Sequence, residues 1–202
     1  METTVLIPPL VLASSSPRRR QLLADAGLSF DVVPPPFGEP EELPEDLTPT
    51  RRAEALAYFK ARAVAECRPE ACVLGADTIV AADGRVLGKP ADRADAERML
   101  RGLSGTRHAV ITGVALLMPC GRRLIASETT YVTMRPMTEQ EIADYLASGE
   151  WIGKAGAYAI QETADRFVVG LEGSFSNVVG LPVELVERLI GRAGEPGAAE
   201  RE

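Results

Sequence analysis

The sequence has few of the residues that mark disulfide frameworks and structural zinc sites. Its 202 residues include three cysteines, Cys67, Cys72 and Cys120, and a single histidine. The cysteines are odd in number and show no CxxC spacing, which argues against both a disulfide framework and a zinc site. We therefore expect reduced thiols in a cytoplasmic protein.

Excess positive charge and long apolar runs are also missing. Lysine and arginine total 22 against 29 acidic residues, so the formal net charge is -7. An acidic protein of this kind is not expected to bind nucleic acid or anionic membranes, and any basic patch in it should be local. No apolar run reaches membrane-spanning length, and residues 1–12 lack the basic start of a signal peptide.

The common nucleotide and hydrolase motifs are absent as well. The chain contains neither a GxxxxGK[ST] phosphate loop nor a GxGxxG that opens a helix after a strand. It also lacks the GxSxG of serine hydrolases, and His108 lies in a strand pattern where a lone histidine is more often structural. These absences argue against the common nucleotide folds and against a Ser-His-Asp hydrolase.

A basic segment follows the first predicted strand. Three serines, Ser14 to Ser16, come directly after that strand and are followed by Pro17 and three arginines. Ser16 fits a helix N-cap and Pro17 the first helical position. Backbone N–H groups and the guanidinium groups of Arg18 and Arg19 would then form an anion site, for which phosphate is the expected ligand. From these residues alone, a solvated basic helix start is an equal alternative.

The pattern along the chain predicts one α/β domain with a mixed sheet over residues 1–191 and a frayed tail over 192–202. The predicted strands are 10–13, 30–33, 72–80, 85–87, 106–118, 124–134 and 167–169. The predicted helices are 17–26, 50–66, 91–103, 138–149 and 182–190. We expect a proline- and acid-rich loop over 34–49, a polar loop over 173–179, and a glycine-punctuated segment over 153–161 that leads into another strand.

Asp77 stands in the middle of the most apolar predicted strand. A buried carboxylate is costly unless it meets a cation or a metal, although an acid that caps a turn at a strand end is an alternative. Lys60 and Lys89 are candidate partners, and Glu39 could add a metal ligand; each could instead be merely solvated. With Arg18 and Arg19, these residues describe a polyphosphate site in which Asp77 positions a metal or activates water.

Several segments, taken in order, resemble the Maf family of nucleoside triphosphate pyrophosphatases. The matching motifs, which span nearly the whole chain from Val11 to Leu189, are LASSSPRR (12–19), GADTIV (75–80), LGKP (87–90), MLRGLSG (99–105), KAGAYAIQ (154–161) and VVGLP (178–182).

The resemblance implies hydrolysis of a nucleoside triphosphate to the monophosphate and pyrophosphate with a divalent cation, Mg²⁺ or Mn²⁺. It also implies an elongated fold with a central cleft, similar to inosine triphosphatases, and often a homodimer. Asp77 would be the proton acceptor or metal-holding acid. Substrate choice would depend on Arg18, Thr78 and Gln161, and the phosphate and metal region would be lined by Ser16, Arg19, Glu39, Lys60 and Lys89.

The segments around Asp77 and Gln161 resemble the branch of the family that acts on dTTP and UTP. An amide such as Gln161 can pair with the imide edge of a pyrimidine. Two departures from the family pattern, at residues 150–153 and at Glu162, lie beside the expected base pocket. The leading hypothesis is thus a dTTP and UTP pyrophosphatase that clears nucleotides. The alternatives are a 7-methyl-GTP or broad-range pyrophosphatase and a non-catalytic, nucleotide-binding regulator of septum formation.

Overall fold

A computed structural model describes residues 8–36, 38, 40, 43–44 and 46–194, which form a seven-stranded mixed sheet and six α-helices. The strands are β1 (Leu10–Ala13), β2 (Asp31–Val32), β3 (Cys72–Ala82), β4 (Arg85–Leu87), β5 (Arg107–Leu117), β6 (Arg123–Met134) and β7 (Val168–Glu172). The helices are α1 (Pro17–Asp25), α2 (Pro49–Ala65), α3 (Arg93–Leu103), α4 (Glu139–Ser148), α5 (Phe175–Val179) and α6 (Val183–Gly194). The predicted α/β class with a mixed sheet is confirmed.

Strand order in the sheet is β2-β1-β3-β5-β6-β7, and β4 pairs with the end of β3. The β1 strand is parallel to both β2 and β3, whereas the pairs from β3 to β7 are antiparallel. In the register between β3 and β5, Asp77 lies opposite Gly113 and Thr78 opposite Thr112. The centre of the sheet thus carries the acid identified from the sequence.

Helix α2 covers one face of the sheet at unusually close range. Its small residues Ala57 and Ala61 pack with Val73 and Ala115 in a buried cluster. A Cβ atom added to Gly75 would lie 2.3 Å from the Ala57 carbonyl oxygen, so this close approach requires glycine on β3. The contact fixes the height of α2 above the strand that bears Asp77.

The opposite face carries two further apolar clusters. One joins α6 to the middle of β1, β3 and β5, for example through Leu74, Leu116 and Leu185. The other joins α3 and α4 to the far end of the sheet, where Tyr145 and Phe167 are almost fully buried. In the portion of the chain that the structure describes, no helix is both long and apolar enough to cross a membrane.

Two predicted segments were wrong. Most of the predicted loop over 173–179 forms helix α5, Phe175–Val179, because the Ser174 hydroxyl caps it by accepting a hydrogen bond from Asn177 N at 3.3 Å. Residues 153–161 do not lead into a strand; they contain a 3₁₀ turn, Ala155–Ala157. Gly156 adopts a φ of +68° in that turn and donates its N–H to the Gly88 carbonyl at 3.0 Å.

The last helix also extends beyond its predicted end. Helix α6 runs to Gly194, past both the predicted helix end near residue 190 and the domain limit at 191. Ala193 is buried in the same cluster as Leu189, so packing continues for another turn. The rest of the predicted tail, residues 195–202, lies outside the described residues.

Candidate functional site

A cleft of about 650 Å³ opens where the chain leaves β1 and enters α1. The middle of β3, residues 153–162 and the end of α5 form its other sides. Its apolar wall includes Val80, Val110, Tyr158, Ile160, Val178 and Val179. The central cleft expected from the family resemblance is therefore present, and its size suits a ligand as large as a nucleotide.

The serine segment caps α1 at the edge of the cleft. Ser16 is the N-cap, and its hydroxyl accepts a hydrogen bond from Arg19 N at 3.4 Å, while Pro17 takes the first helical position. The Ser14 hydroxyl in turn accepts from Ser16 N at 3.1 Å. The predicted cap is confirmed, and it directs the positive end of a short helix toward the cleft.

The three consecutive arginines have different surroundings. Arg18 and Arg19 both line the cleft, whereas Arg20 is exposed and is not part of its lining. Arg19 donates through Nε to the Gly180 carbonyl at 2.8 Å and through Nη2 to Thr78 Oγ1 at 3.1 Å. Its guanidinium is thus held in one orientation at the edge of the cleft.

A chain of hydrogen bonds continues from Thr78 into the protein. Thr78 Oγ1 lies 2.9 Å from Thr112 Oγ1, and Thr112 donates to the Asn177 carbonyl at 3.2 Å. Thr78 Oγ1 also lies 3.3 Å from the Gly180 carbonyl, which competes with Thr112 Oγ1 for the single Thr78 proton. Since Thr78 also accepts from Arg19, hydrogen bonds connect Arg19 through Thr78 and Thr112 to the carbonyl of Asn177 on α5.

Asp77 and Lys60 form an ion pair between β3 and α2. Their side chains are only 9% and 13% exposed, and both residues line the cleft. Lys89, just after β4, lines the same cleft. The structure thereby brings together the buried carboxylate and both lysines that the sequence singled out.

Asp77 is also the natural candidate for a metal ligand. Within the described residues there is no group of three or more histidine, cysteine or acidic side chains placed to hold a metal ion. Glu39, the other predicted ligand, lies outside the described residues. A single carboxylate in a cleft lined by arginine and lysine nevertheless fits Mg²⁺, which commonly takes one or two carboxylates together with phosphate oxygens and water.

Gln161, which is predicted to contact the base, is exposed and does not line the cleft. Its neighbours Ile160 and Glu162 both line the cleft. Glu162 Oε1 lies 3.5 Å from Lys154 Nζ, and both belong to the cleft wall. Lys154 and Glu162 were not among the predicted site residues. The sequence nevertheless marked both positions, because Lys154 is the first residue of the family motif over 154–161 and Glu162 is one of the departures from the family pattern.

Tyr158 forms part of the cleft wall and rests on the buried His108. Its hydroxyl is 2.8 Å from His108 Nε2, and the two rings meet edge to face. Burial lowers the pKa of His108 to about 4 and raises the pKa of Tyr158. A neutral histidine under the wall supports the interpretation that His108 is structural.

Known proteins resemble this chain over most of its length. A family model described as Maf-like protein matches residues 9–193. A dTTP/UTP pyrophosphatase of Pelotomaculum thermopropionicum is 49% identical over 186 residues, covering 92% of this chain and 96% of the relative. One from Koribacter versatilis is 51% identical over 185 residues, covering 92% and 94%. A solved nucleoside-triphosphatase / dITP/XTP pyrophosphatase from Mycobacterium abscessus has a TM-score of 0.44 at 18% identity, covering 92% of each chain. The chain belongs to the Maf-like protein family.

Proposed function

We propose that this protein is a nucleoside triphosphate pyrophosphatase that hydrolyses dTTP and UTP to the monophosphate and pyrophosphate. The observation that carries the proposal is the buried Asp77–Lys60 pair in a cleft that also contains Arg18, Arg19 and Lys89. Four cations gathered around one acid suit a polyphosphate, although the whole protein is acidic. The names of the 49–51% identical relatives support the reaction and the pyrimidine substrates.

In the proposed reaction Asp77 acts as general base. Its carboxylate accepts a proton from a water molecule, whose oxygen forms a new bond to phosphorus. The phosphoanhydride between the α- and β-phosphates breaks, and the bridging oxygen leaves with the bonding electron pair. Lys60, Lys89 and the arginines stabilise the negative charge that builds up on the phosphate oxygens.

A divalent cation, Mg²⁺ or Mn²⁺, is part of this proposal. Asp77 would hold it together with phosphate oxygens of the substrate. When bound, the cation would neutralise phosphate charge and act as a Lewis acid. A positioned general base commonly contributes a factor of roughly 10² to 10⁴ to the rate, so Asp77 should matter whichever cation is bound.

The nucleoside would bind against the apolar wall of the cleft. Tyr158 and Ile160 offer surfaces for a base and a sugar. Gln161 stays the predicted partner of the pyrimidine imide, which requires its side chain to turn inward on binding. Clearance of nucleotides, the cytoplasmic compartment and a homodimer stay predictions from the sequence.

The test is a panel of nucleoside triphosphates assayed for released pyrophosphate, with magnesium or manganese present and again after chelation. We expect dTTP and UTP to be hydrolysed fastest and the chelator to stop turnover. Stronger hydrolysis of 7-methyl-GTP, or a flat profile across the panel, would contradict the base assignment. Binding of nucleotide without any pyrophosphate release would support the non-catalytic regulator instead.

A further inference from the structure

A second, smaller pocket adjoins the cleft on the other side of Asp77. Its volume is about 240 Å³, and it shares Asp77, Thr78, Lys89 and Ala155 with the cleft lining. The two spaces are therefore neighbours at these four residues, with the Asp77 carboxylate between them. Ligand pockets usually measure about 300–1,000 Å³, so the smaller space is suited to a part of a nucleotide rather than to the whole molecule.

Arg52 on α2 supplies the cation that is particular to this side pocket. Arg52, Leu56 and Lys60 are spaced four residues apart, so they lie along one stripe of the helix. Arg52 stands two turns before Lys60, about 12 Å along the axis. The stripe thus carries one positive charge beside the cleft, on Lys60, and a second beside the side pocket, on Arg52.

The guanidinium of Arg52 makes no hydrogen bond or ion pair with any residue in the described part of the chain, although the side chain is partly buried. Its neighbour Arg51 is 73% exposed and pairs with Glu54 at 3.0 Å. Arg52 is partly buried at the pocket, and phosphate oxygens match the fork geometry of its guanidinium. The apolar residues around it, such as Ile79 and Val86, offer no such partner.

We propose that the side pocket receives the outgoing pyrophosphate group, with Arg52 as its anchor and Lys89 at the junction with the cleft. This inference rests on the proposed function, because it assigns the β- and γ-phosphates to the side pocket and the nucleoside monophosphate to the cleft. When the α–β anhydride breaks at Asp77, each product then occupies its own compartment. Arg52 becomes a residue that binds the pyrophosphate product.

The experiment compares Arg52→Gln with Arg51→Gln as the matched control, both in the full chain. Calorimetry with magnesium present measures the affinity for inorganic pyrophosphate and, separately, for UMP. We expect Arg52→Gln to weaken pyrophosphate binding about tenfold to a hundredfold, the range for one charge-assisted hydrogen bond, and to leave UMP binding within about twofold. Arg51→Gln should change neither affinity. Arg52→Lys should restore part of the pyrophosphate binding because it returns the charge without the fork.

Unchanged pyrophosphate affinity in Arg52→Gln would overturn the inference, as would an equal loss of pyrophosphate and UMP binding. Circular dichroism and thermal melting check that the variant is folded. Turnover of UTP by the unaltered protein is measured alongside. If UTP is hydrolysed but the affinity for pyrophosphate does not depend on Arg52, the inference fails and the proposed function stands. If UTP is not hydrolysed while pyrophosphate binding depends on Arg52, the proposed function fails and only the anion pocket remains.

Discussion

Lys60 and Asp77 form an ion pair across the contact between α2 and β3, and both side chains also line the cleft. The pair lies where a long apolar strand and an alanine-rich helix meet at close range. A carboxylate in such surroundings needs a cation near it. The same surroundings keep its position fixed relative to a ligand in the cleft, which the proposed role as general base requires.

Asp77→Asn should abolish turnover while the protein stays folded. The amide cannot take a proton from water, so we expect kcat to fall by at least about 10². Asparagine keeps the volume and can still accept a hydrogen bond from Lys60, so the free energy of unfolding should fall by only about 1–3 kcal/mol. A pyrophosphate-release assay and a thermal melt check the two parts. Turnover equal to that of the unaltered protein would contradict the role of Asp77.

Thr112→Val should impair the cleft without changing its volume. Valine has the shape of threonine but lacks the hydroxyl that links Thr78 to the Asn177 carbonyl. We expect looser orientation of Arg19 and a loss of roughly tenfold in kcat/KM, equivalent to about 1.4 kcal/mol. Steady-state kinetics with UTP measures the effect.

Thr112→Ser is the control for this prediction, because it keeps the hydroxyl and removes only a methyl group. Its kcat/KM should stay close to that of the unaltered protein. If serine and valine reduce kcat/KM equally, packing rather than the hydrogen-bond chain supports Arg19.

Gly75→Ala should disturb the site from a distance. The added Cβ would lie 2.3 Å from the Ala57 carbonyl oxygen and 2.8 Å from the Ala61 Cβ, so α2 must shift away from β3. Such overpacking costs about 1–3 kcal/mol and would move Lys60 relative to Asp77. Urea unfolding and the kcat for UTP are the measurements, and we expect both stability and kcat to fall.

Gly102→Ala serves as the comparison, since nothing lies within 4 Å of the added atom. Gly102 is inside helix α3, so alanine there should be neutral or stabilising by up to about 1 kcal/mol. A loss of stability in Gly102→Ala as large as that in Gly75→Ala would show that the close helix–strand contact is not the cause.

Much of the fold could be predicted because its signals are local. Ser16 before Pro17, the capping box that begins at Thr138 and the αL glycine Gly149 all mark helix ends within a few residues, and the structure confirms each. Helix α5 was missed because it is only five residues long and polar at its start. It is stabilised by the Ser174 cap and by the hydrogen bonds that the buried Asn177 amide donates to the Val110 carbonyl and Thr130 Oγ1, and these two acceptors lie on the sheet beneath it.

The residues of the candidate site also differ in whether a local sequence signal reveals them. Asp77 and Lys60 could be singled out because a charge in an apolar or alanine-rich segment is visible in the sequence. Thr112 could not, since its importance comes from the β3–β5 register that sets it opposite Thr78. Arg52 looks like any surface arginine until the helix places it over the side pocket. Residues whose role depends on a long-range neighbour carry no local signal.

His108 should make the protein less stable in mild acid. Burial lowers its pKa from 6.5 to about 4, so between these values the unfolded chain binds a proton that the native protein lacks. The free energy of unfolding therefore falls as the pH falls through this window, by about 1.4 kcal/mol per pH unit. Between about pH 7 and about pH 5 the loss from this residue should be about 2 kcal/mol, measured by urea unfolding at each pH.

His108→Gln isolates this contribution, because glutamine can still reach the Tyr158 hydroxyl but does not titrate. The variant is expected to be less stable at neutral pH, since an altered side chain must fill a site that is 1% exposed. Its unfolding free energy should nevertheless change by about 2 kcal/mol less than that of the unaltered protein over the same pH interval. An identical pH dependence in the two proteins would assign the acid sensitivity to the carboxylates. In that case the pKa of His108 would be the same in the native and unfolded chain, so the histidine would be solvated well enough to keep its ordinary pKa.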